Sequence, residues 1–220
     1  MHSKKIWQRV LLGLVSASAL YAMTMQVDYD FEKTKTGGLP EGWKADATHP
    51  SKKPGNWQVV EDTVVPSGHK VLSLTNVGEN RGSTFNLCYT KEIPFTNGEI
   101  AVKFKANTGR IDEGGGIMWR VQDGDNYYVA RFNPLEDNFR FYSVKNGVRR
   151  QIASADVKLS KGWHEMKIIQ KENRFEGYLD GKKLLEATDD TFTKSGGVGL
   201  WTKADAATSF DDFHVKVDIQ

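Results

Sequence analysis

The chain has 220 residues, of which 39% are hydrophobic and 26% charged, the proportions of an ordinary globular protein with room for one sizeable domain. Its formal net charge is +2, and three of its 30 basic residues fall before residue 20, where there is no acidic residue, so a chain that loses that segment carries −1; this argues against nucleic acid or an anionic membrane as an electrostatic partner. Cys88 is the single cysteine, so no intramolecular disulfide is available even in an oxidising compartment, and with Phe85, Leu87 and Tyr89 around it Cys88 reads as a structural residue.

The N-terminus has the order of a secretory leader. Lys4, Lys5 and Arg9 give a positive start, Val10–Leu14 opens an apolar stretch, and Ala17-Ser18-Ala19 is a small-x-small cleavage site. Cleavage is expected after Ala19, or alternatively after Ala22. The apolar stretch is too short for a comfortable membrane span, which takes ~20 residues, although an uncleaved anchor is the competing reading. The expectation is an exported protein, periplasmic or extracellular, with no membrane span after cleavage and a single domain over residues 26–220.

After the leader no sustained helical period appears, and short alternating segments follow one another between turn signals. Gln26–Phe31 reads as a strand. The Gly37–Gly42 loop leads to Trp43, and Pro50–Gly55 is a second loop. Trp57–Val60, Val71–Leu74, Ser83–Tyr89 and Gly98–Ala106 are strands, the last with Ile100, Val102 and Phe104 facing inward. Later strands are Arg149–Ala153 after the Asn146-Gly147 turn, Trp163–Gln170, Arg174–Leu179, Lys183–Ala187, Val198–Trp201 and Phe210–Val217. About a dozen strands in one domain, without βαβ units, predict an all-β, two-sheet antiparallel jelly-roll sandwich.

The centre of the chain is a three-strand meander, Gly116–Gln122, Tyr127–Asn133 and Asn138–Val144, with turns at 123–126 and 133–137. A four-residue first turn would pair Gln122 with Tyr127 and Val121 with Tyr128. Alternation then places Ile117, Trp119, Val121, Tyr128, Ala130, Phe132, Phe139 and Phe141 on a core face. Met118, Arg120, Gln122, Tyr127, Val129, Arg131, Asn133, Arg140 and Tyr142 fall on the opposite, outward face. Arginine forks beside aromatic rings suit hydroxyl-rich ligands such as sugars; an ordinary solvated outer face is the alternative. On the outward reading, Arg131→Ala is expected to leave stability nearly unchanged. Trp201 lies opposite Val198 and Leu200, with Gly197 and Gly199 on its own face, and reads either as an open stacking platform beside Lys203 or as packing under a loop.

Other charged groups are weighed in the same way. Asp28, Asp30 and Glu32 near the start, and Asp211 and Asp212 near the end, could gather oxygen ligands for a structural Ca²⁺, with Asp30, Glu32 and Asp212 as the set; solvated strand-edge carboxylates are the alternative. The five histidines are dispersed without zinc-site spacing. No Ser-His-Asp arrangement is readable, and Gly114–Gly116 reads as a strand entry or bulge.

The segment GGIMWRVQDGDNYYVARFNPLEDNFRFYSVKNG, followed in order by GWHEMKI, RFEGYLDGKKLLEATDDTF and GGVGLWTKADAATSFDDFHV, resembles secreted domains of the concanavalin A-like lectin/glucanase superfamily. It is most similar to the LamG-like 3-keto-disaccharide hydrolase domains. The resemblance runs from about Val27 to Val217 and implies a carbohydrate ligand, while a shared sandwich does not by itself transfer chemistry. The Glu-x-Asp-x-x-Glu strand motif of the retaining glucanases is absent, so their paired-carboxylate mechanism is disfavoured. A 3-keto-glycoside enzyme would need a base beside an acidic C–H and positive charge for the enolate. Arg120, Arg131 and Arg140 could supply the charge and Glu136 or Asp137 the base, with His164 and Glu165 a second pair; His164, in register with Met166 and Ile168, reads more readily as a satisfied inward histidine. The function expected first is glycan binding by Arg120, Tyr127, Arg131, Asn133, Arg140, Tyr142, Trp201 and Lys203. A 3-keto-glycoside hydrolase and a non-enzymatic envelope domain are the alternatives.

Overall fold

The computed structural model describes residues 23–49, 55–77 and 83–219. The expected leader with both of its cleavage sites, and the Pro50–Gly55 loop up to residue 54, lie outside the described residues. The strands are β1 (Met23–Tyr29), β2 (Trp43–Thr48), β3 (Asn56–Glu61), β4 (Lys70–Asn76), β5 (Phe85–Phe95), β6 (Gly98–Thr108), β7 (Gly115–Asp123), β8 (Asn126–Asn133), β9 (Asn138–Lys145), β10 (Val148–Asp156), β11 (Trp163–Lys171), β12 (Arg174–Leu179), β13 (Lys182–Thr188), β14 (Gly196–Lys203) and β15 (Ala207–Ile219). Among the described residues there is no helix.

Two antiparallel sheets form a sandwich, as the turn spacing predicts. The first has the order β13-β12-β11-β6-β15-β4-β3, with β1 also on β15; the second has the order β10-β9-β8-β7-β14-β5-β2. Neighbours that are distant in sequence, such as β14 between β7 and β5, are the long connections of a jelly roll. The layer between the sheets buries Ile100, Val102 and Phe104 of β6 and Met166 and Ile168 of β11 against Trp119, Tyr128, Ala130, Phe132, Phe139 and Phe141 of the meander. Each large side chain withdrawn from water there contributes about 1.5–3 kcal/mol. A polar bond within the layer joins the sheets: the Trp119 indole N–H donates to Gln170 Oε1 at 2.8 Å.

The alternation predicted for the meander holds in β8 and β9, and in β7 it holds up to Trp119 and fails over the residues that follow. Trp119 pairs with Tyr128, and Asp123 with Asn126, so two extra residues are accommodated in β7 and the loop is only Gly124-Asp125. The irregularity sits at Arg120, whose φ of 48° is left-handed, the geometry that turns a bulged strand over. Val121 consequently joins Met118, Tyr127 and Val129 on the outer side instead of the inter-sheet core. The expected pairings of Gln122 with Tyr127 and of Val121 with Tyr128 are thereby corrected.

A second correction concerns that outer side, which is not a bare polar surface. Phe85, Leu87 and Tyr89 of β5, Met118 and Val121 of β7, Tyr127 and Val129 of β8, Tyr142 and Val144 of β9, and Trp201 of β14 make a second buried cluster there. The second sheet is therefore apolar on both faces over its central strands. β2 is a strand that the pattern does not announce, because Trp43-Lys-Ala-Asp-Ala-Thr has few β-branched residues; it forms as the edge partner of β5, from Trp43↔Thr90 to Thr48↔Phe85.

Candidate functional site

The predicted trio of arginines is divided by the bulge. Arg131 and Arg140 face each other across β8 and β9, but Arg120 is 2% exposed and turned away to bind backbone. Its Nε and Nη2 donate to the Thr96 carbonyl at 3.1 and 2.8 Å, its Nη1 to Phe192 O at 2.6 Å, and its Nη2 also to Glu172 O at 2.6 Å. Every nitrogen of the guanidinium is committed. Burial pulls its pKa below the ordinary value, with Tyr128 and Asp190 opposing that shift, and the carbonyl dipoles receive its N–H groups. Arg120 is a clamp on three connections between strands, not a ligand-binding residue as expected.

Arg131, Asn133, Arg140, Tyr142 and Lys203 do come together, around a carboxylate, Asp112. Asp112 is buried on the approach to β7. The backbone N–H groups of Arg110, Ile111 and Asp112 all donate to Asp205, at 2.9–3.2 Å, and fix that approach. Burial opposes ionisation of Asp205, but these N–H donors outweigh it and hold its pKa below the usual carboxylate range. Asp112 then receives Arg131 Nη2 at 3.3 Å, Asn133 Nδ2 at 3.2 Å and Lys203 Nζ at 3.0 Å. Arg131 continues to Glu136 Oε1 at 3.3 Å and to the Tyr142 hydroxyl at 3.4 Å. Arg140 reaches Glu136 Oε2 at 2.9 Å and the same hydroxyl at 3.4 Å. Asn138 donates to Glu136 Oε2 at 2.9 Å.

The base of this network is dry and its rim is wet. The side chains of Arg131 and Asp112 are 1% and 2% exposed, whereas those of Lys203, Arg140 and Glu136 are 20%, 28% and 44% exposed. Burial opposes the ionisation of Glu136, and the donors Asn138, Arg131 and Arg140 more than offset it, leaving its pKa lowered. Glu136 is thus a strong acceptor and a weak base.

Beside the network the sheet supplies rings. Arg149 of β10 lies 4.4 Å over the Tyr142 ring, 5.1 Å from that of Phe85 and 5.9 Å from that of Trp201. Trp201 itself is fully buried, which overturns the open-platform reading in favour of packing. Its indole N–H donates to the Tyr127 hydroxyl at 3.1 Å, and Tyr127 bonds Thr48 Oγ1 at 2.7 Å, which donates to Gly124 O at 2.9 Å. The neighbouring glycines serve close strand packing rather than access, since a Cβ at Gly199 would sit 2.4 Å from Cys88 O. Tyr127, Trp201 and the buried Tyr142 ring are therefore the floor of the patch, while Arg149, Arg140, Glu136 and Lys203 are its upper layer.

The remaining candidates lie elsewhere. Asp137, next to Glu136 but at φ 47°, turns to a separate cleft of about 300 Å³ lined by Phe104, Phe132, Pro134, Lys158 and His164. His164 is satisfied, as its register predicts: Nδ1 lies 2.7 Å from Asp180 and Nε2 2.9 Å from Ser160 O. The structure does bring Ser160, His164 and Asp180 together, with Ser160 Oγ 3.5 Å from Nε2. The Ser160 carbonyl, at 2.9 Å, is the nearer partner of that nitrogen. Glu165 is exposed on the first sheet. The proposed calcium ligands do not converge. Glu32 accepts from the His69 and Lys70 N–H groups, Asp30 from Glu32 N–H, and Asp212 from Ser67 and Lys103; among the described residues no group of three His, Cys, Asp or Glu is placed to hold a metal ion.

The model of the 3-keto-alpha-glucoside-1,2-lyase-like domain family matches residues 36–216. The chain belongs to that family. Its members' fold extends to glycan-handling proteins. The levanase of Bacillus subtilis (strain 168) is 28% identical over 128 residues, which are 56% of this chain and 18% of levanase, so the chain spans less than a fifth of that relative. The carbohydrate binding module CBM66 from Bacillus subtilis superposes with a TM-score of 0.61 at 20% identity, over 79% of this chain and 95% of the module. Domain 4 of AbnA, an extracellular arabinanase of Geobacillus stearothermophilus solved with arabinotriose, does so at 0.56 and 10% identity, over 87% and 91%. At these identities the two structures establish the jelly-roll fold of this family member. Arg149 and Asp112 are the site residues that sequence reasoning missed. Arg149 was within reach, because the Asn146-Gly147 hairpin pairs it with Val144, on the face of Tyr142. Asp112 precedes its strand, where no alternation rule applies.

Proposed function

We propose that the outer face of the second sheet binds a carbohydrate, with Glu136, Arg140, Arg149 and Lys203 as the contacting layer around the Tyr142 hydroxyl and ring. The observation that carries this reading is the graded network: a buried Asp112–Arg131 pair fixes the geometry, and partly exposed donors and an ionised acceptor surround a tyrosine ring. Sugars present hydroxyl groups in fixed directions and need this combination of preorganised donors, acceptors and an aromatic edge. The fold shared with a carbohydrate binding module and the sequence similarity to levanase support the class of ligand. The expected leader and the extracellular setting of the arabinanase support export. The test is calorimetric titration with fructan, arabinan and glucan oligosaccharides. Arg140→Ala should weaken binding about tenfold, the loss of roughly one charge-assisted hydrogen bond; affinity unchanged in both Arg140→Ala and Lys203→Ala would refute the placement.

The family match favours one further reading, turnover of a 3-keto-glucoside. In an elimination of that kind a base removes the C2 proton, the C2–H electron pair forms the C1=C2 bond, and the aglycone leaves C1 with its own electron pair and is protonated. Arg131, Arg140 and Arg149 would stabilise negative charge on the C3 oxygen, and Glu136 is the one carboxylate of the upper layer. Its lowered pKa makes it a poor base, which is why binding stands first. Release of the aglycone from a 3-keto-glucoside, abolished in Glu136→Gln, would reverse that order.

A further inference from the structure

We infer that the glycan taken by this face carries an anionic group, a carboxylate or a sulfate ester, beside its hydroxyls. The inference rests on the carbohydrate reading above and adds the charge of the ligand. The network holds four cations, Arg131, Arg140, Arg149 and Lys203, against two carboxylates, Asp112 and Glu136. Both carboxylates are already used: Asp112 by Arg131, Asn133 and Lys203, and Glu136 by Arg131, Arg140 and Asn138. Donors are left over. Arg131 Nε and Arg149 Nη1 are buried without any hydrogen-bond partner, and among the described residues Arg149 forms no ion pair with a carboxylate.

Cation–π contact with Tyr142 satisfies the face of the Arg149 guanidinium but not its in-plane N–H groups. Burial also pulls its pKa below the ordinary value, so the charge is held there at a cost. A hydroxyl would bring a donor of its own into a site already rich in donors. An oxyanion brings only acceptors, and its two oxygens match the planar fork of an arginine. The ligand group that removes the most unsatisfied donors and the most uncompensated charge is therefore a carboxylate or sulfate.

The probes are trisaccharides of galacturonate, glucuronate and mannuronate, each with its fully methyl-esterified counterpart, a sulfated trisaccharide with its desulfated counterpart, and neutral fructan, arabinan and glucan trisaccharides. At least one acidic probe should bind about tenfold more tightly than its neutral counterpart, with a preference that falls as salt is raised. Preference confined to the uronates identifies the carboxylate, and preference confined to the sulfated probe identifies the sulfate ester. Arg149→Gln should bring the acid-to-neutral ratio to about one. Arg149→Lys, which keeps the charge and loses the fork, should keep part of it and serves if the glutamine variant does not unfold cooperatively. Equal affinities within every pair, or binding of neutral probes alone, with Arg140→Ala still weakening binding, would overturn the charge inference and leave the carbohydrate face standing. Absence of binding across the panel, or binding insensitive to both Arg140→Ala and Arg149→Gln, would overturn both.

Discussion

Arg120 and Arg131 are buried to the same degree, 2% and 1% exposed, in adjacent strands of one hairpin, and they are held in different ways. Arg120 reaches a main-chain carbonyl through each of its three guanidinium nitrogens, with four hydrogen bonds in all. Arg131 sits between two carboxylates and a tyrosine, close to solvent-exposed partners, and keeps a buried Nε without an acceptor. A buried cation saturated by backbone secures a fold; one tied into a network with spare donors and a wet rim is placed to meet a ligand. On the proposed reading, burial alone does not separate structural from binding arginines, and the acceptor inventory does.

The largest effect is expected at Arg131. Arg131→Ala leaves Asp112 with Lys203 and Asn133 but removes the centre of the network, so chemical denaturation should show a loss of about 3 kcal/mol, together with loss of glycan affinity. This replaces the expectation, drawn from an outward face, that stability would hardly change. Arg120→Ala should cost about 3 kcal/mol as well, through carbonyls left without donors, yet the folded fraction should bind glycan with unaltered affinity. Loss of binding at full folding in Arg120→Ala would erase the distinction.

Asp211 sharpens the comparison as a buried carboxyl that, among the described residues, forms no ion pair. It is fully buried, accepts from the Ser67 and Asp212 N–H groups, and burial pushes its pKa up to about 6. Because this carboxyl holds its proton more tightly when folded, its contribution to stability is complete below pH ~4, its unfolded value, and is lost as pH rises through about 6. The loss amounts to about 2–3 kcal/mol. Unfolding free energies measured from pH 4 to 7 should fall more steeply in the parent protein than in Asp211→Asn, and parallel curves would contradict the assignment. The smallest stability change is expected for Arg140→Ala, under ~1 kcal/mol for an exposed pair, although its effect on binding should be about tenfold.

The fold was legible because alternation, turn residues and the Asn146-Gly147 hairpin agree along most of the chain. Two things were hidden. The bulge at Arg120 puts a non-glycine residue at positive φ, and Arg-Val-Gln carries no turn signal to mark it. The burial of the outer face comes from Phe85, Leu87, Tyr89 and Trp201, brought in by strands far away in sequence. Local alternation therefore sorted Arg131, Arg140, Asn133 and Tyr142 onto one face correctly, but could not say whether that face was covered or which carboxylate would meet Arg131.

Trp201 and Trp119 lie on opposite faces of the same sheet, one indole N–H on Tyr127 under the proposed site and the other on Gln170 between the sheets. Nitrogen-detected NMR titration with a bound oligosaccharide reads both faces in a single experiment. The account predicts that the Trp201 indole resonance moves in a saturable way while that of Trp119 stays in place. A shift confined to Trp119, or saturation of binding with both indoles unmoved, would contradict the claim that the outer face of the second sheet is where this protein meets its ligand.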